Sequence, residues 1–95
     1  MEYDEIEKQL SATGANLRCL SLKALLINAG FKVRRTQGNH YVFTHDSLEG
    51  FTAGSFNGGH GGKNPQVLKS YIKKTLKIVK QYKDELETYL ERKNG

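Results

Sequence analysis

The 95-residue chain reads as an α+β domain in which helices cover one face of a three-stranded antiparallel sheet, in the order α-α-β-β-β-α. Three observations predict it. Apolar residues recur at helical spacing at both ends of the chain, the pattern switches to a period of two between residues 31 and 56, and glycines punctuate the switch. The second face of such a sheet is left open.

Tyr3, Ile6 and Leu10 stand three and four apart with charges between them, which predicts a short amphipathic helix over residues 2–12, ended by Gly14. Asn16 suits the N-cap of a second helix. In it Leu17, Leu20, Ala24, Leu25 and Asn28 recur on one side, Leu22 and Leu26 widen the stripe, and Gly30 follows the end, where positive φ is usually needed.

Phe31-Lys32-Val33-Arg34-Arg35 then alternates apolar and basic, as a half-buried strand does, and Gln37-Gly38 supplies a turn. A second strand is expected over Asn39–His45 and a third over Phe51–Phe56. Strand side chains alternate between faces, so Tyr41, Phe43 and His45 share one side and His40, Val42 and Thr44 the other. The aromatic mass belongs against the helices, which leaves His40 on the open face.

Asn64-Pro65 reads as the N-cap and first residue of the longest helix. Leu68, Ile72, Thr75, Val79, Tyr82, Leu86 and Tyr89 carry heptad-like spacing to about residue 90, or roughly 39 Å of helix. That is longer than three strands can cover. The Tyr82–Leu90 stripe needs either the first helix or a second copy of the chain, by self-association.

The formal charge is +5, unevenly spread: residues 1–16 carry −3, residues 17–80 carry +9 and residues 81–95 carry −1. A basic central segment suits a polyanionic partner, although basic solvated faces are common. Lys69, Lys73, Lys77 and Lys80 share one helical face, and Lys32, Arg34, Arg35 and Lys63 add charge in the same segment, so phosphate contact and a merely solvated face both fit. The lone Cys19 excludes an internal disulfide, and no Cys/His zinc spacing exists, which favours a reducing compartment, the cytoplasm by default. No apolar run suits a membrane span, and Met1-Glu2-Tyr3-Asp4-Glu5 is unlike a signal peptide, so no membrane is expected.

Several chemistries fail on spacing. The glycine-rich stretch around His60 has Asn57 and Asn64 where a Walker A loop needs Gly and Ser or Thr. What remains is a loop that carries His60 and Lys63 ahead of a helix N-terminus, where free N–H groups favour an anion. His40 and His45 face opposite sides, so neither metal nor cofactor is expected. No serine has a nucleophile-elbow context. RNA cleavage asks for less, because the substrate's 2′-hydroxyl is the nucleophile; one imidazole moves the proton and cations steady the phosphorane. His40 is the candidate.

The segment Leu22–Lys80 resembles the HicA toxins of bacterial toxin-antitoxin pairs. The resemblance lies in a leucine-rich helix ending in Ala29-Gly30-Phe31, a basic strand, Gly38-Asn39-His40-Tyr41-Val42-Phe43, and His60-Gly61-Gly62-Lys63 before the last helix. It implies a double-stranded-RNA-binding-domain-like fold and a ribosome-independent endoribonuclease that cleaves single-stranded mRNA. His40 stands where that family has its catalytic histidine. From charge and placement alone, Arg34, Arg35, His60, Lys63, Lys69, Lys73 and Lys77 are the expected RNA or phosphate contacts. A HicB-like antitoxin that covers the active site is the implied partner. Residues 1–95 then form a single domain: a HicA-like core at 17–80, an N-terminal helix extension at 1–16 and a C-terminal helix extension at 81–95. The third strand lacks the family's valine-rich run into a proline, and the glycine loop is expanded. The competing class is a non-catalytic RNA-binding or protein-interaction module on the same fold.

Overall fold

The alternation that begins after Phe31 folds into three antiparallel strands, β1 (Lys32–Gln37), β2 (His40–Thr44) and β3 (Gly54–Asn57), in spatial order β1-β2-β3. Around them stand α1 (Tyr3–Thr13), α2 (Cys19–Asn28), α3 (Lys69–Gln81) and α4 (Lys83–Asn94). The computed structural model describes residues 1–13, 17–59 and 62–94. Gly14, Asn16 and His60, singled out above, lie outside them.

The faces of the sheet divide as the alternation predicts. Tyr41, Phe43 and Phe56 are buried on the helix side, whereas His40, Val42, Thr44, Ser55 and Asn57 are half-buried on the open side. Phe31 packs edge-on against Phe43 at 5.4 Å and His45 at 4.7 Å between ring centroids. One hydrophobic cluster draws residues from every helix and from β2 and β3. Each fully buried Leu, Ile or Phe in it contributes about 1.5–3 kcal/mol of transfer free energy.

The third strand is shorter than expected. It starts at Gly54, and Phe51 instead turns its ring toward Phe31, Phe43 and Tyr82. The apolar stripe of α2 is also rotated from the expected one. Cys19, Leu22, Leu25 and Leu26 are its buried residues, while Leu20, Ala24 and Asn28 are exposed. Apolar residues occupy most of this helix, so periodicity alone did not single out the buried face.

The last helix departs furthest. Asn64 and Pro65 do not start it, because the chain stays extended there: Gln66 bridges to Arg18 and Val67 to Gly58, and α3 begins only at Lys69. The two residues serve α2 instead. Asn64 Oδ1 accepts the Leu20 N–H at 2.9 Å and the Pro65 carbonyl accepts the Cys19 N–H at 2.9 Å, so this N-terminus is capped by a remote segment. Gly58 permits the approach, since a Cβ there would lie 2.6 Å from Cys19 Sγ.

Nor is the final helix continuous to residue 90. It bends at Tyr82, where φ is −106° and ψ 28°, and continues as α4. The bend sets the Tyr82 ring edge-on to Phe51 at 5.7 Å. Leu68 is exposed, and Leu90 rather than Tyr89 takes the last fully buried position. The cover for Leu86 and Leu90 comes from within the chain, because α1 packs on both α3 and α4, with Tyr3, Ile6 and Leu10 buried. The Tyr3 hydroxyl donates to the Val79 carbonyl at 3.3 Å, and Asn94 Nδ2 donates to the Met1 carbonyl at 3.2 Å. No helix among the described residues is long and apolar enough to cross a membrane.

Candidate functional site on the open sheet face

The register of the hairpin places His40 directly across from Asn57 on the open face. The pair is bonded, His40 Nδ1 to Asn57 Oδ1, and Asn57 Nδ2 donates to the Tyr71 hydroxyl of α3 at 3.2 Å. An amide oxygen is only an acceptor, so with the amide in this orientation the bond calls for a proton on Nδ1 of His40. Among the described residues Nε2 of His40 has no hydrogen-bond partner. Lys74 Nζ lies 5.4 Å from the centroid of the Tyr71 ring, which brings a cation to the same corner.

His45 is a different kind of residue. It is 6% exposed, accepts the Ser47 N–H on Nδ1 at 3.1 Å and donates from Nε2 to the Ala29 carbonyl at 3.0 Å. Both ring nitrogens are thus occupied by one neutral tautomer, and the ring also packs edge-on to Tyr89 at 4.9 Å. The α2 terminus and the β2 end are joined through it. Gly30, at φ 93°, allows this packing, because a Cβ there would run into the Tyr89 ring.

The expected basic residues separate into groups. Arg34 pairs with Val42 and so lies on the His40 face, one same-side position away, about 7 Å along the strand direction. Arg35 pairs with Tyr41 on the other side, and its Nε donates to the Gly38 carbonyl within the turn. Lys63 is exposed, and the preceding carbonyl, that of Gly62, accepts from Asn39 Nδ2 at 3.4 Å, which ties the glycine loop to the turn beside His40.

Lys63 is not at the mouth of a free helix N-terminus: α3 starts later, and the α2 amides of Cys19 and Leu20 are taken by Pro65 and Asn64. Lys69, Lys73, Lys77 and Lys80 are exposed on α3. At 3.6 residues per turn, however, Lys69, Lys73 and Lys80 fall roughly half a turn from Tyr71, and Lys77 about a third. The structure therefore brings Lys74, not the four-lysine stripe, to the His40 corner.

Sequence reasoning passed over Asn57, Tyr71 and Lys74. Their pairing depends on the β2–β3 register and on where α3 starts, and neither is written in a local motif. The spacing of three between Tyr71 and Lys74 was the available signal.

Among the described residues only Lys32 is ion-paired, to Asp46 at 2.9 Å, so Arg34, Lys63 and Lys74 have no carboxylate to neutralise them. Cys19 is buried and its thiol is pushed up by desolvation, which suits a core residue and not a nucleophile. No three His, Cys, Asp or Glu side chains gather as metal ligands among the described residues. Among the described residues the arrangement is an open face with one imidazole nitrogen free and unpaired cations around it. It can accept or return a proton beside a bound anion. No family profile, curated protein or solved structure matches the chain.

Proposed function

We propose that the chain is a metal-independent endoribonuclease that cleaves single-stranded mRNA, a HicA-like toxin with His40 as its proton-transfer residue. The observation that carries this reading is His40 on the open face, bonded through Nδ1 to Asn57 and with Nε2 left without a partner among the described residues. Arg34 on the same face, Lys74 against the Tyr71 ring and Lys63 in the loop tied to Asn39 supply positive charge for the phosphodiester that is unpaired among the described residues. A three-stranded open sheet backed by helices suits the double-stranded-RNA-binding-domain-like arrangement that the sequence resemblance implies. On this reading the protein works in the cytoplasm, and a HicB-like antitoxin neutralises it by covering the His40 face.

Replacement of His40 by alanine tests the reading. General acid-base catalysis is worth about 10²–10⁴-fold, so RNA cleavage should fall by at least about 100-fold while RNA binding persists. Cleavage and growth arrest unchanged in the variant would leave a non-catalytic RNA-binding module as the better account.

A further inference from the structure

We infer that Asn57, held by Tyr71, is a positioning residue that fixes His40 as the Nδ1–H tautomer and thereby makes it a general base through Nε2. This rests on the nuclease reading above for its chemical meaning, though not for its geometry.

The geometry comes from two ties between Asn57 and the start of α3. Its backbone carbonyl accepts the Leu68 N–H at 3.2 Å, and its side-chain amide donates to Tyr71, in the first turn of the helix, at 3.2 Å. The neighbouring Gly58 N–H donates to the Asn39 carbonyl at 3.0 Å, which holds the end of β3 to the residue before His40. With its nitrogen on the Tyr71 hydroxyl, the amide presents its oxygen to Nδ1. The imidazole of a neutral histidine carries one proton, so placing it on Nδ1 leaves a lone pair on Nε2.

The consequence is a definite role. Nε2 takes the proton of the 2′-hydroxyl as that oxygen attacks the adjacent phosphorus. The bond from phosphorus to the 5′-oxygen breaks, the departing oxygen takes a proton from water, and a 2′,3′-cyclic phosphate remains. The imidazolium keeps its Nδ1–H bond to the neutral amide and returns the Nε2 proton to water. Among the described residues, the charged or titratable groups on the elements around it are Lys32, Arg34 and Arg35 of β1, Tyr71, Lys74 and the four-lysine stripe of α3, and Lys63 of the loop. None of them is a carboxylate.

The experiment is ring ¹⁵N spectroscopy of His40 in the full chain at a pH where the imidazole is neutral. The expected signal is a protonated Nδ1 and a bare Nε2. Asn57→Ala should lose this preference and cut RNA about 10–100-fold more slowly, by analogy with the loss when a partner that orients a metal-bound imidazole is removed. Asn57→Asp is nearly the same shape and guards against a simple folding defect. It should keep the Nδ1–H form and move the acidic limb of the cleavage profile to higher pH, because a carboxylate favours the imidazolium.

An Nε2–H tautomer in the unmodified protein would mean that the amide is reversed, donating to Nδ1 while Tyr71 donates to its oxygen, and the inference fails. A tautomer ratio unmoved by Asn57→Ala overturns it equally. The Nδ1–H form, abolished by Asn57→Ala, in a protein that cuts no RNA at any pH supports the positioning role and overturns the nuclease reading alone.

Discussion

Replacing Arg34, Lys63 and Lys74 together by glutamine should weaken RNA binding and cleavage, whereas replacing Lys69, Lys73, Lys77 and Lys80 should spare cleavage at saturating RNA. The first set lies around His40 and the second lies on another flank of α3. The magnitude follows from counterion release, which for single strands lowers the slope of log affinity against log salt by about 0.7 per phosphate neutralised. Removing three such cations changes that slope by about 2. Over a fourfold rise in salt this is a difference of roughly 15-fold in how far affinity falls. The assay is fluorescence anisotropy with an uncleavable 2′-deoxy oligonucleotide across a salt series, paired with single-turnover cleavage of the matching RNA. If the four-lysine variant loses cleavage at saturating RNA while the triple variant stays within about twofold of the parent, the placement of the site on the Tyr71 side of α3 is wrong.

Three further outcomes follow from the packing. Burial first, then the Glu7 carboxylate, pushes the Tyr3 phenol up to about 12 from an ordinary 10.0. The folded state holds that proton more tightly than the unfolded chain, so its contribution is complete below about pH 10 and is lost as the pH rises through about 12; the urea midpoint should fall more steeply there than in Tyr3→Phe, and parallel curves would remove the effect. Asn64→Ala deletes the cap on α2 and should cost about 1 kcal/mol in urea unfolding, although the residue lies 44 positions from the amide it serves. Leu86→Ala should cost about 2–5 kcal/mol, with a midpoint independent of protein concentration; a midpoint that rises with concentration would mean that a second chain supplies part of the cover.

Much of the architecture was legible because it is local. The alternation from Phe31 through His45 determined the strands and the opposite facing of His40 and His45, since side-chain direction follows from backbone pleat alone. Gly30 and Gly38 marked the chain reversals and both take positive φ, at 93° and 55°. The misread parts depend on contacts between distant segments. Asn64-Pro65 carries a good helix-start signature, yet its amide oxygen and carbonyl cap α2, a use that only proximity in space can create. In the same way α2 is apolar on several sides, and its buried side was chosen by what it packs against.

The candidate site divides along the same line. The sequence by itself determined that a histidine would stand on an open sheet face in a basic segment, because period, charge and turn residues are properties of short stretches. Only the tertiary structure decided its company. Hairpin register set Asn57 opposite His40, the late start of α3 brought Tyr71 and Lys74 to it, and helical phase turned the four-lysine stripe away. Register and helix start are settled by the summed packing of the whole core, so no motif around residue 40 encodes them.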